Sequence, residues 1–331
     1  LLYCFNNCRI FCFSIYVVEP KNSERSIYGM GIIMKSLTNK VYAGIELGGT
    51  KVKCGIADET GNLIAKTEFP TSSPEIVFNK IEEYFSILRK NYLILSLGIA
   101  SFGPIEKRNS VSKFGYILET PKIGWNNIDI VSILKKKLQL PITFDTDVIA
   151  AAKAEYHWGN IKSSSLMVYI TIGTGIGAGI LKDGMAISDL IHPEMGHMRI
   201  PKIQKDTFIG ACKFHKDCLE GLASGKAIEK RWNISPKLLP KEHECWDFET
   251  TYLAYGFLNL FYIVGPEVII LGGGIGNRDG IIDNVRDKMQ VLSAGYGLTT
   301  IKSFKKVLIK PFWGKDSGLL GSIYIGASDL H

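Results

Sequence analysis

Apolar and polar positions begin to alternate at Val41. VYAGIEL, a tight GGT turn, KVKCGIAD, a Gly61-Asn62 turn and LIAKTEF read as three consecutive strands joined by hairpins, an antiparallel meander that opens the domain. Residues 74 to 90 then set Ile76, Ile81, Phe85 and Leu88 at helical spacing behind a proline suited to a first turn. LILSLGIAS is a buried strand, a helix is predicted over about 127 to 138, PITFDTD supplies another strand, and the alanine-rich VIAAAKAEYHW another helix.

The second half repeats the opening theme. SLMVYITIGTGIGAGILKDG is again strand, glycine turn, strand, close to the first meander in layout though hardly in sequence. Such a weak internal repeat suggests two related lobes around a cleft. Further on, TTYLAYGFLNLFYIV reads as a buried helix and PEVIILGGGIG as a strand running into a glycine loop, and no long low-complexity linker separates the halves.

Residues 1 to 18 are different: LLYCFNNCRIFCFSIYVV is apolar but broken by Asn6, Asn7 and Arg9, with neither a basic leader nor a small-residue cleavage site. The window is also shorter than the ~20 residues a membrane span needs. Residue 1 is not methionine, and methionines stand at 30 and 34, so residues 1 to 33 are expected to be an extension outside the folded domain, with a signal anchor as the alternative. The expected lobes are then 41–147 and 148–331, with the last helix returning to the first lobe.

With 331 residues, 46% hydrophobic and 21% charged, the chain can bury a large core and reads as a soluble α/β globule. The net charge of +7 comes from lysines and arginines scattered among acids, with no basic block and no aromatic-basic interleaving, which argues against nucleic acid as a partner. Seven cysteines, at 4, 8, 12, 54, 212, 218 and 245, do not make a secreted disulfide pattern and point to a reducing compartment, the cytoplasm.

Chemistry enters with three glycine-rich turns, each behind an apolar strand: Gly48-Gly49-Thr50, Gly173-Thr174-Gly175-Ile176-Gly177 and Gly272-Gly273-Gly274. Glycine lets backbone amides approach an anion with no Cβ in the way, although a hairpin also uses glycine for purely conformational reasons. Two familiar phosphate motifs fail on spacing. Gly221 to Lys226 is one residue short of G-x-x-x-x-G-K-[ST] and is followed by alanine. Gly173, Gly175 and Ala178 satisfy G-x-G-x-x-A, but a strand follows where a dinucleotide fold needs a helix.

GIELGGTK, SFGPI, TPKIGW, DTD, TIGTGIGAG, HPEMGH, the Cys-His-Cys stretch, CLEG and ILGGGIG occur in the order seen in the ROK family of sugar kinases and regulators. From Val41 onward the chain resembles that family, and the glutamate of GIELGGTK, TPKIGW and HPEMGH resemble its bacterial fructokinase branch. The resemblance implies an actin-like ATPase (ribonuclease H-like) fold and ATP-dependent phosphorylation of a free hexose, fructose first, in a homodimer. Glucose, mannose or an N-acetylhexosamine as acceptor, or a sugar-responsive regulator, are the alternatives. A regulator would carry a helix-turn-helix ahead of the lobes, and residues 1 to 40 show no pair of amphipathic helices.

By the same resemblance, Gly48, Gly49, Thr50 and Lys51 form a first phosphate loop and Gly173, Thr174, Gly175 and Gly177 a second, with Gly272, Gly273 and Gly274 beside adenosine. Gly103 and Pro104 of SFGPI, with Glu194, His197 and Glu220, fall to the sugar. Mg²⁺ would arrive with ATP, and Glu46 is placed to hold its water shell. Asp147, where PITFD meets VIAAAKAE, is the candidate base; a helix N-cap is the other use of such an aspartate. Relatives usually carry asparagine two residues later, where this chain has Ile149, which can neither donate nor accept a hydrogen bond.

His197 with the C-x-x-H-x-x-C of Cys212, His215 and Cys218 gives four nitrogen and sulfur donors, a set suited to tetrahedral zinc in a structural role; buried free cysteines are the alternative. Because His197 belongs to both the metal set and the sugar motif, metal loss is expected to weaken sugar binding far more than ATP binding.

Overall fold

The computed structural model describes residues 16–17, 39–120, 122–159, 161, 164–187, 193–297 and 303–328. The first lobe contains β1 (Tyr16–Val17), β2 (Lys40–Leu47), β3 (Lys51–Ala57), β4 (Leu63–Pro70), α1 (Pro74–Leu88), β5 (Leu93–Ser101), β6 (Tyr116–Ile117), β7 (Ile128–Asp129), α2 (Ile130–Leu138) and β8 (Ile142–Thr146). Its six-stranded sheet has the order β1-β4-β3-β2-β5-β8, in which β2, β3 and β4 are the antiparallel meander and β5 and β8 run parallel to β2. Apart from Tyr16 and Val17, which pair antiparallel with Lys66 and Ala65, the segment expected to lie outside the domain falls outside the described residues.

The period of two along β2 assigns its faces. Val41, Ala43, Ile45 and Leu47 enter a core with Val77, Ile81 and Phe85 of α1 and Leu134 of α2. Tyr42, Gly44 and Glu46 therefore face the other side, where the last helix lies. Pro74 opens α1, and Asp129 caps α2 by accepting from the Ser132 amide at 2.9 Å.

The second lobe follows α3 (Asp147–His157) and contains β9 (Leu166–Ile172), β10 (Ile176–Lys182), β11 (Met185–Ala186), α4 (Leu219–Ala223), α5 (Gly225–Trp232), α6 (Cys245–Val264), β12 (Val268–Gly272), α7 (Gly273–Gly276), α8 (Ile281–Leu292), β13 (Leu308–Ile309) and α9 (Ser317–Ser328). Its five-stranded sheet runs β11-β10-β9-β12-β13, with β9 and β10 a hairpin and β12 parallel to β9. Helices α4, α6 and α8 supply Leu222, Phe257 and Val285 to one core with Ile170 and Leu271 of the sheet. Among the described residues, no helix is long and apolar enough to cross a membrane.

Two helices join the lobes. α3 leaves β8 and lies on β10, where a Cβ on Gly179 would come within 2.7 Å of the Val148 carbonyl oxygen. α9 follows β13 of the second lobe and covers β2 and β5 of the first; a Cβ on Gly98 would fall 1.7 Å from the Ser322 carbonyl oxygen, so only glycine permits this packing. The buried Glu155 of α3 accepts from the amides of Phe312 (2.8 Å) and Trp313 (3.1 Å) and from the Ser317 hydroxyl (2.7 Å), which fixes the start of α9 against α3.

Candidate active site

The first glycine turn links β2 to β3 and closes with the Gly48 amide donating to the Lys51 carbonyl at 3.0 Å. Thr71 holds it from outside: its hydroxyl donates to Gly48 O at 2.7 Å and its amide to Thr50 O at 3.0 Å. Gly49 and Thr50 stay exposed, open to an anion. Lys51 turns away, with its ammonium 2.8 Å from Glu68 on β4. The cation at the loop is instead Lys122 of TPKIGW, whose Nζ donates to Gly49 O at 2.7 Å. Trp125 of the same motif is fully buried between Phe78 and Phe102 and donates to Ser72 O at 2.9 Å, so the segment presenting Lys122 is anchored. Gly103 and Pro104, joined by a cis peptide bond, are exposed beside this loop, because the Phe102 amide donates to Leu47 O at 2.9 Å.

Asp147 is the first residue of α3, directly after Thr146 ends β8 of the first sheet. It is not the cap. Thr146 is, its hydroxyl accepting from the Ile149 amide at 3.3 Å, while Asp147 Oδ1 accepts from the Val148 amide at 2.9 Å. The carboxyl is half-buried among protein atoms, and that desolvation, followed by the negative charge of Glu46 and then Glu194, outweighs its backbone hydrogen bonds and lifts its pKa to about 7. Glu46 comes from the first lobe and Glu194 from the second, so the acid sits where the lobes meet. Glu46 is held by Lys53 Nζ at 2.7 Å and packs against Gly318 of α9, where a Cβ would meet its carboxylate carbon at 2.5 Å. Ile149 points the other way, into an apolar cluster with Met167, Tyr169 and Ile270, so its missing polar group is replaced by core packing.

The second glycine turn, between β9 and β10, lies against the start of α3: a Cβ on Gly177 would touch Val148 at 3.2 Å. Beyond α3 it is bordered by the second lobe. The Gly225 amide, at the start of α5, donates to Gly173 O at 2.8 Å, and the Lys226 amide to Thr174 O at 3.4 Å. Gly273, at φ +84°, backs onto Ile172, so the Gly272–Gly274 turn adjoins the same hairpin. Sequence reasoning missed Ser224, Gly225 and Lys226. The signal was the GLASGK stretch, which fails as a P-loop yet still puts a helix N-terminus beside a glycine loop. Glu220 of α4 was expected among sugar contacts; its Oε2 accepts from the Ile176 amide inside the hairpin at 3.0 Å.

Glu194 is exposed and immediately precedes a 3-10 turn, Met195–His197. His197 Nδ1 stands 3.7 Å from Cys212 Sγ and 3.6 Å from Cys218 Sγ, and Cys212 Sγ is 3.9 Å from His215 Nδ1. All four donor atoms lie within 4.8 Å of one another. A tetrahedron with metal–ligand bonds of 2.0–2.3 Å has edges of roughly 3.3–3.8 Å, so this set fits a single soft cation. Arg199, which pairs with Asp217 and donates to His215 O at 2.8 Å, braces the turn that carries His215.

The family model described as ROK family matches residues 42–328. A fructokinase of Zymomonas mobilis is 39% identical over 86% of this chain and 95% of its own length, and a fructokinase of Lactococcus lactis 38% identical over 87% and 97%. Among solved structures, a ROK hexokinase from Thermus thermophilus superposes with a TM-score of 0.69 at 24% identity, covering 88% of this chain and 99% of that one. A ROK glucokinase from Streptomyces griseus, in complex with glucose and AMPPNP, gives 0.68 at 19% identity, over 87% and 99%. The fold is that of the ROK sugar kinases.

Proposed function

The chain belongs to the ROK family, and from that premise we propose that it is an ATP-dependent kinase of a free hexose, converting D-fructose to fructose 6-phosphate. Asp147 carries this reading: a carboxyl at the junction of the two lobes, held near pKa 7, beside two glycine turns with exposed backbone. Fructose as the acceptor is supported by relatives named fructokinase at 38% and 39% identity over most of both chains.

In the reaction the hexose 6-hydroxyl oxygen forms a bond to the γ-phosphorus, its proton passes to Asp147, and the bond to the β–γ bridging oxygen breaks as ADP leaves. A base with a pKa near working pH is matched to that transfer. The Gly48–Thr50 and Gly173–Gly177 turns offer amides to the phosphates from facing lobes, with Lys122 adding a positive charge at the first. Gly272–Gly274 and the start of α5 border the nucleoside end. Gly103, Pro104, Glu194, His197 and Glu220 are read as the sugar side. Mg²⁺ brought by ATP offsets phosphate charge, and Glu46 has a second carboxylate oxygen beyond its Lys53 bond for the ion's water shell.

His197, Cys212, His215 and Cys218 are assigned to one structural Zn²⁺, which fixes the loops that carry them and supplies no chemistry to the transfer. The protein is read as a cytoplasmic homodimer; light scattering at twice the chain mass is the expected result, and a monomer would refute the assignment. The function is tested by ADP release over a panel of hexoses. Fructose is expected to exceed glucose, mannose and N-acetylhexosamines in kcat/KM by at least ~10-fold, as a site built around one hydroxyl pattern can achieve. A higher value for any other hexose would displace fructose, and no ADP release with any of them would sink the kinase reading.

A further inference from the structure

The two segments that bear the proposed metal ligands close on a single residue of the second glycine turn, Ile176. Glu220, two residues after Cys218, accepts from the Ile176 amide at 3.0 Å. Gly196, immediately before His197, packs under the Ile176 carbonyl, where a Cβ would lie 2.2 Å from the oxygen. The segments are themselves joined, since the Leu219 amide donates to Met198 O at 3.0 Å. Gly175 leaves room for the contact: a Cβ there would come within 2.6 Å of Glu220 Oε2.

Resting on the kinase reading, we propose that Glu220 is a positioning residue for the nucleotide: it fixes the second phosphate loop through the Ile176 amide, in addition to its place on the sugar side. A turn containing Gly173, Gly175 and Gly177 has little side-chain packing of its own, and the Gly225 and Lys226 amides hold its Gly173 and Thr174 carbonyls rather than the Ile176 amide. Ile176 is only 4% exposed, so its amide has little access to water if the carboxylate is removed. A buried donor left without its charged acceptor loses more than an ordinary hydrogen bond. The aim of the loop toward phosphate is thus set by the same α4 side chain assigned to the sugar, and by the Gly196–His197 segment packed under the Ile176 carbonyl.

The test uses metal-replete protein without sugar. Binding of a non-hydrolysable ATP analogue is measured by calorimetry, and exchange of the Ile176 amide by NMR, for the native chain, Glu220→Gln and Glu220→Ala. Glutamine keeps an oxygen acceptor, so binding within about 3-fold of native and a protected Ile176 amide are expected. Alanine removes the acceptor and should weaken analogue binding by ~10-fold or more, with faster exchange at Ile176. Metal content and circular dichroism certify each variant; if alanine fails to fold, Glu220→Asp, which withdraws the oxygen by one methylene, takes its place with the same expected direction. Native affinity and native exchange in the alanine or aspartate variant would overturn the proposal. A native chain that binds no ATP analogue would defeat the kinase reading instead, while Ile176 exchange would still report on the tether.

Discussion

Lys53 Nζ lies 2.7 Å from Glu46 Oε2, and the same ammonium donates to the Lys315 carbonyl at 2.6 Å, so a lysine of β3 binds an acid of β2 to the turn before α9. The side chains are 10% and 21% exposed, which keeps solvent screening modest. Glu46 is the largest charge acting to raise the pKa of Asp147. Lys53 tempers that effect.

Replacing the lysine therefore has a signed consequence. Lys53→Met leaves Glu46 uncompensated beside Asp147, and the acidic limb of kcat/KM should move up by about one pH unit. The pH profile checks it; an unchanged limb in a folded variant would mean that Glu46 and Asp147 do not sense each other.

For Asp147 itself, kcat/KM of the native enzyme should rise with pH through about 7, where the carboxyl loses its proton. Asp147→Asn removes the acceptor without touching the helix cap, which Thr146 provides, so kcat should fall by at least ~10². Stability should change in the opposite sense. A carboxyl whose folded pKa is raised binds more protons folded than unfolded, so it lowers stability progressively as pH rises from about 4 to about 7. The asparagine variant should match native Tm below that window and exceed it above pH 7; a lower Tm at pH 8 would contradict the assigned pKa.

Sequence pattern located most of these parts. The meander, the second strand–turn–strand unit and the helix opened by Pro74 follow from periods of two and 3.6 that one-sided burial imposes, and TTYLAYGFLNLFYIV reads as a buried helix, which the structure extends back to Cys245. The Cys–His grouping was legible because two thiols and two imidazoles at that spacing have few other uses, and the structure brings their donor atoms within 4.8 Å of one another. What sequence hid was direction. Lys51 follows the GGT turn and reads as its cation, but its side chain goes to Glu68, and the ammonium at the turn comes from Lys122, 73 positions from Gly49. Ile149 reads as a lost polar contact and proves to be a core residue, since its face of α3 lies on the second sheet. Such tertiary choices leave no local period.

The two lysines can be separated by kinetics. Lys122→Met should lower kcat/KM for ATP by ~10-fold, the cost of removing one charge from a polyphosphate site, whereas Lys51→Met should stay within about 3-fold. Salt offers a second check, because the Lys122 effect should shrink as ionic strength screens the lost charge. If Lys51→Met is the damaging change, the exposed Lys51–Glu68 pair opens when nucleotide binds.

Metal removal brings the two halves of the site together. Reading the sequence alone separates them, because no glycine turn supplies a metal donor, and so predicts that sugar binding suffers far more than ATP binding. The Glu220–Ile176 contact and the Gly196 approach to the Ile176 carbonyl join them. Purified protein should hold about one zinc per chain. Cys212→Ser withdraws one donor, frees the turn of His215 and Cys218, and with it the start of α4 that carries Glu220. It also loosens His197, and through it Glu194 and Gly196. The KM for fructose and the KM for ATP should then both rise, each by several-fold, since both substrates lose positioned contacts. Circular dichroism and thermal unfolding with and without ATP exclude global loss of structure. A rise confined to fructose would restore the simpler division, with the metal serving the sugar alone and the second phosphate loop held by Gly225 and Lys226.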